Sequence, residues 1–270
     1  MNHPITAGLL GIVEGLTEFL PVSSTGHLIL ATEIFGYDPD EWAQFNVVIQ
    51  LGAILAVVVL YWKTFVDVLQ GLFRRDADAL HFVRNLLIAF LPAAVLGLAL
   101  HKKIEALLGN PQAVCVAFIL GGIAILVIER FTHEDEPEGI GRIPLRQAVL
   151  IGCAQCLAMF PGVSRSGATI MGARAMGVRK KTAAEFSFFL AIPTMLGATV
   201  VELVGKHHAA GLPPSDVGMG EIAIGFIVAF IVALAVIRAF VGYITKHGFA
   251  PFAWYRIAAG IAGLIWLRMI

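Results

Sequence analysis

Six long apolar stretches run along the chain, at 47–62, 86–100, 113–128, 186–204, 222–237 and 249–267. Most approach the ~20 residues a helix needs to cross a bilayer, and each is read as a membrane-spanning helix. Two other apolar regions behave differently. Residues 5–20 and 24–35 are each too short to span comfortably, and FLPVSS separates them with a proline and hydroxyls. FPGVSRSG separates 147–160 from 166–177 in the same manner. Irregular backbone at membrane depth is tolerated only where protein or a water-filled cavity surrounds it, so both regions are expected to be broken or re-entrant helices.

Composition strengthens the membrane reading. The chain is 58% hydrophobic and 14% charged, whereas a soluble domain is roughly half apolar and a quarter charged. No basic segment followed by a short apolar core opens the chain, so no removable signal peptide is expected. Net charge is zero and no basic run carries interleaved aromatics, which excludes nucleic acid as a partner. Of the three cysteines, Cys153 and Cys156 form a CxxC inside an apolar segment without a thioredoxin-like context. They are read as small packing residues rather than a redox pair.

The pattern also repeats. A displacement of 141 residues aligns LLGIVEGLTEFLPVSSTG (9–26) with LIGCAQCLAMFPGVSRSG (150–167), and Phe45 with Phe186. Displacements of 140 and 138 pair IAFLPAAV (88–95) with VAFIVALA (228–235) and ILGGIAIL (119–126) with IAAGIAGL (257–264). Four alignments in the same order point to an internal duplication. The expected fold is an all-α polytopic membrane protein with an inverted-topology repeat, each half a broken helix pair followed by three spans. The first repeat occupies 1–131, a polar cytoplasmic linker 132–143, and the second repeat 144–270.

Charge orients this arrangement. With three crossings per half, the N-terminal side holds only Lys102, Lys103, Lys206 and Arg268. Fourteen Lys and Arg, Arg174 and Arg256 among them, fall on the other side, and Arg165 lies inside a break. The excess of positive charge marks the cytoplasmic side, so both termini are expected outside the cytoplasm.

The two breaks carry the candidate chemistry. Glu14 and Glu18, spaced i, i+4, project from one helix face and suit a hard divalent cation that also takes phosphate oxygens and water. Ser23, Ser24 and Thr25 stand at the start of the next half-helix, where hydroxyls cap the helix and where backbone N–H groups favour phosphate. His27 follows Ser24 at i+3, within reach for a hydroxyl–imidazole pair; either the serine or the imidazole could be the nucleophile. At the 141 offset Ser24 faces Arg165, Glu14 faces Gln155, Glu18 faces Met159 and His27 faces Ala168. The second break has therefore lost the acids and imidazole and gained a guanidinium. Arg165, between Ser164 and Ser166 with Thr169 one turn on, reads as an oxyanion clamp, or as the ion-pair partner of Glu14 or Glu18. The combined inventory suits phosphoryl transfer. The lone Glu202 lies near a span end and is assigned no role.

EGLTEFLPVSSTGH (14–27) with PGVSRSGAT (161–169) closely resembles the undecaprenyl-pyrophosphate phosphatase family of bacteria, associated with bacitracin resistance. The likeness extends through FNVVIQLGAILAVV (45–58) and EFSFFLAIPTMLGAT (185–199). The resemblance implies hydrolysis of undecaprenyl diphosphate to the monophosphate, recycling the lipid carrier for cell-wall synthesis. It implies a plasma (inner) membrane location and a site open to the extracytoplasmic side. It makes Glu14 and Glu18 ligands of magnesium or calcium. It makes Ser24, His27, Glu18 and Arg165 catalytic, and Ser23, Thr25, Ser164, Ser166 and Thr169 substrate-binding together with Arg165. Its expected partners are the lipid diphosphate, membrane lipid and, as an option, a second copy of the chain in a homodimer. The chief rival is a lipid flippase or transporter, because inverted repeats and midplane breaks are transporter architecture. A second rival, an intramembrane serine protease built on Ser24 and His27, has less need of paired glutamates and Arg165.

Overall fold

The computed structural model describes residues 3–36, 39–108, 110–132, 139–208 and 217–269. They form an all-α polytopic membrane protein with no strand among the described residues. In chain order the helices are α1 (His3–Thr17), α2 (Ser24–Phe35), α3 (Pro39–Leu60), α4 (Trp62–Arg74), α5 (Ala77–Leu108) and α6 (Pro111–Phe131). They continue with α7 (Leu145–Gln155), α8 (Arg165–Ala175), α9 (Lys180–His208), α10 (Met219–His247) and α11 (Ala250–Trp266). A 3-10 turn at Ile140–Arg142 precedes α7, and another at Cys156–Met159 follows it.

Five helices contain stretches long and apolar enough to cross a bilayer: Trp42–Leu60, Ala77–Leu100, Pro111–Phe131, Lys180–Glu202 and Met219–His247. The sixth expected span is α11, whose 17 residues rise roughly 25 Å, short of the hydrocarbon thickness. The helices also outrun their apolar cores. His101, His207 and His208 belong to the ends of α5 and α9. Residues 133–138 of the 132–143 linker lie outside the described residues.

One element was not foreseen. The stretch predicted to end at residue 62 breaks at Tyr61, and α4 follows as a separate amphipathic helix. Phe65 and Val68 pack on the core, Trp62 and Phe73 are exposed, and Lys63, Asp67, Gln70 and Arg74 occupy the polar face. Its mixed polarity hid it from a search for continuous apolar runs.

Both expected breaks are present, built alike. Past α1 the Glu18 N–H still donates to the Glu14 carbonyl at 2.9 Å, and then Pro21 stops the helical pattern. Ser23 takes a left-handed φ of 73° and its Oγ accepts from the Gly26 N–H at 3.3 Å, capping α2. In the second break Ser164 has φ 77° and its Oγ accepts from the Gly167 N–H at 3.0 Å, capping α8. A non-glycine residue at positive φ costs of order 1–3 kcal/mol and persists where its surroundings enforce it.

The half-helices reach the interior by close backbone packing. On α1, a Cβ added at Gly15 would lie 2.7 Å from the Ala229 carbonyl of α10. On α7, one at Gly152 would lie 2.5 Å from the Ala89 carbonyl of α5. Small residues let membrane helices approach this closely. Arg174 and Arg256, assigned above to the cytoplasmic surface, are instead buried at 2% and 1% exposure. They add nothing to the surface charge asymmetry, whose direction the remaining residues preserve. The cysteines are unbridged, and Cys153 is exposed rather than packed inside.

Gly15→Val should force α1 away from α10 and destabilise the protein by about 1–3 kcal/mol. Thermal unfolding in detergent checks this, with Gly220→Val as the control because a Cβ there meets nothing within 4 Å.

Candidate functional site

The ends of the two breaks meet in a cavity of about 430 Å³. Glu18, Ser23, Ser24 and Thr25 line it from the first break, and Gln155, Ser164 and Arg165 from the second. Opposite them, α5 contributes Phe90, Ala93 and Leu98, and α9 contributes Met195, Ala198 and Val201. The cavity thus has a polar wall made of broken helix and a largely apolar wall made of spans, into which Gln50, Thr194 and Glu202 are also set.

A single carboxylate joins the breaks. Glu18 Oε1 lies 2.5 Å from Arg165 Nη2, and Glu18 Oε2 accepts the hydroxyl proton of Ser24. All three side chains are largely shielded, Arg165 at 12% and Glu18 at 7% exposure. Arg165 Nη1 donates to the Ser187 carbonyl at 3.1 Å, and Arg165 Nε has no hydrogen-bond partner. Of the two expected ion-pair partners, Glu18 is therefore the one engaged. Glu14 is fully buried one helical turn earlier, and neither of its carboxylate oxygens has a hydrogen-bond partner.

The remaining sequence-predicted residues divide into those at the cavity and those behind it. Ser23, Thr25 and Ser164 line it; Ser23 and Ser164 do so while capping their helices. Ser166 lies behind, donating to the Leu20 carbonyl at 2.7 Å and so tying one break to the other. Thr169 is turned toward α9, with its Oγ 2.6 Å from Ser187 Oγ, and is absent from the lining. The expected Ser24–His27 pair is not formed. His27 Nδ1 sits 2.7 Å from the Ser23 carbonyl, and Nε2 2.7 Å from the Tyr255 hydroxyl. Its ring stacks on Tyr255 with centroids 5.6 Å apart and planes 7° from parallel. On a helix that starts at Ser24, residue i+3 lies about 60° around the axis, and neighbouring helices on two sides claim the two side chains.

Three participants escaped the sequence reading. Gln155 lines the cavity and its Oε1 accepts from Thr194 at 3.2 Å, while its Nε2 has no partner. Tyr255 and Arg256 both sit in α11, which the periodicity marked only as a span. An arginine inside a continuous apolar run was the available signal, since such residues are costly in a membrane and seldom idle.

Among the described residues no three His, Cys, Asp or Glu side chains converge on one point as a complete metal cage. The donor set nevertheless fits a hard cation that keeps water and phosphate oxygens. Two carboxylates lie a turn apart, and one has both oxygens buried without partners.

Comparison with known proteins shows the family. The model of the family described as bacitracin resistance protein BacA matches residues 7–262. The undecaprenyl-diphosphatase of Novosphingobium aromaticivorans is 66% identical over 269 residues, covering 100% of both chains. The undecaprenyl-diphosphatases of Rhizorhabdus wittichii and Sphingopyxis alaskensis are 60% and 56% identical, covering 96% and 99% of each chain. With a family match over nearly the whole sequence and relatives of this identity aligned end to end, the chain belongs to the bacitracin resistance protein BacA family.

Proposed function

We propose that this protein is an integral membrane phosphatase that hydrolyses undecaprenyl diphosphate to undecaprenyl phosphate and inorganic phosphate. The observation that carries the reading is the Ser24–Glu18–Arg165 constellation, assembled from both breaks beside an apolar wall. A lipid diphosphate matches both walls at once: phosphates at the helix starts and isoprenoid chain along α5 and α9. Relatives carrying that enzyme name over their full length support the substrate.

Ser24 Oγ attacks the terminal phosphorus while Glu18 Oε2 takes its proton, and the bond to the bridging oxygen breaks to release the lipid monophosphate. Arg165 and the first-turn amides of α2 and α8 offset the charge on the transferring group. Glu18, having passed that proton to the departing lipid phosphate, takes one from the water that attacks the phosphoserine and returns it to Ser24 Oγ as inorganic phosphate leaves. The base in this reading is Glu18; His27 holds the Ser23 carbonyl, keeping the left-handed cap in place. Glu14 and Glu18 would hold magnesium or calcium, which supplies charge neutralisation for the phosphate oxygens.

The breaks also support the proposal that residues 1–131 and 144–270 are inverted repeats in a bacterial plasma membrane, with the 132–143 linker cytoplasmic and both termini outside. Matching left-handed serine caps favour it, as does an exchange of partners: α1 packs on α10, and α7 packs on α5. The same symmetry favours, as a second reading, a flippase that moves the lipid across the bilayer.

Purified protein should release phosphate from a C55 isoprenyl diphosphate in detergent, and a chelator should reduce the rate. Flux in liposomes without any release would favour the flippase. Arg165→Ala is expected to lower turnover by about 10²–10³-fold while the protein still folds, the loss typical of removing one oxyanion donor. Ser24→Ala should abolish a trappable phosphoenzyme; a phosphoenzyme persisting in that variant would transfer the nucleophile to His27. For topology, a cysteine placed in the 132–143 linker should resist impermeant labelling from outside the cell, and ready labelling would reverse the orientation.

A further inference from the structure

Arg256 lies in the middle of α11, 1% exposed, and all five of its N–H donors are used. Nη1 donates to the Pro21 carbonyl of the first break and the Val163 carbonyl of the second, each at 3.0 Å. Nη2 donates to Gly162 of the second break at 2.8 Å and to Ala117 of α6 at 2.9 Å. Nε donates to the Phe118 carbonyl at 3.3 Å. Every acceptor is a backbone oxygen, and three belong to the irregular turns that place Ser24 and Arg165.

The fit is specific to a guanidinium. Its five donors form a planar fork of fixed spacing, whereas a lysine ammonium offers three donors from one point. Space for the fork comes from Gly121 on α6, where an added Cβ would lie 2.6 Å from the guanidinium carbon. The fork also underlies the start of α8, with Nη1 3.5 Å from where a Cβ on Gly167 would stand. Ser166 and the Glu18–Arg165 pair also join the breaks, but to each other rather than from a third element.

We propose that Arg256 is the positioning residue of the site: it holds the two breaks in register, so that Ser24 and Glu18 on one meet Arg165 and Ser164 on the other. Its kinetic consequence rests on the phosphatase reading; its structural consequence does not. Nitroxides at Leu16 and Leu157, both exposed and each just ahead of a break, report the register in a background with Cys115, Cys153 and Cys156 replaced by alanine. Arg256→Lys should broaden or shift the interspin distance distribution measured by pulsed dipolar spectroscopy. It should also lower kcat per folded molecule by about 10²-fold, as an ångström-scale misplacement does. KM should change little, because the apolar wall on α5 and α9 is untouched. Gly121→Ala, which crowds the fork while keeping the arginine, should move both readouts in the same direction and decides the matter if Arg256→Lys does not fold. An unchanged distance distribution, or a kcat loss no larger than the loss of folded protein, overturns the proposal. If unsubstituted protein releases no phosphate, the phosphatase reading fails, and the distance measurement still decides the role of Arg256.

Discussion

A helix broken at membrane depth sheds donors and acceptors that lipid cannot satisfy, at several kcal/mol for each group left alone. The interior of this protein is organised around meeting that demand twice. Ser23 and Ser164 twist into left-handed backbone so that their hydroxyls turn back onto Gly26 and Gly167. Ser166 takes the Leu20 carbonyl, and Arg256 takes those of Pro21, Gly162 and Val163. These partners serve the rear of each break. The helix starts on the cavity side retain the positive end of their dipoles, so satisfying the backbone and shaping an anion site are one construction.

The Glu18–Arg165 pair answers a second demand. Each charge alone would be very expensive at this depth, and together their attraction need only offset the loss of water if the remaining hydrogen-bonding capacity is also met. Ser24 takes the second carboxylate oxygen and the Ser187 carbonyl takes a guanidinium N–H, while Arg165 Nε is left without a partner.

Much of this was legible in the sequence because breaks in a membrane helix need proline, glycine and hydroxyls, and those letters stand out against an apolar background. FLPVSS and FPGVSRSG were found, and so were the acids and the arginine that face each other. What stayed hidden depended on rotation about a helix axis. An i, i+3 spacing put His27 near Ser24 along the chain, yet α11 draws the imidazole to Tyr255 while Glu18 draws the hydroxyl. Thr169, likewise one turn from Arg165, is claimed by Ser187 of α9. Arg256 was misplaced for a different reason: positive charge was counted by position between spans, a method that treats every arginine as solvated. Amphipathic α4 was missed because polar residues interrupt its apolar ones, so it holds no continuous apolar run.

The division of labour between the two breaks follows from the chemistry. Two copies of Glu14 and Glu18 would place four carboxylates around one cavity, repelling one another and any phosphate. Two copies of Arg165 would leave two buried cations without acids. One acidic break and one basic break is the arrangement in which Glu18 meets its counter-charge, Arg165, from the other break. Gln155, standing where the first half has Glu14, keeps the size and hydrogen-bonding reach of the acid without its charge, and lines the cavity beside the guanidinium. A site divided between two breaks works only while they keep their register, which is why a cross-brace bonded to both has more consequence than its distance from the reacting atoms suggests.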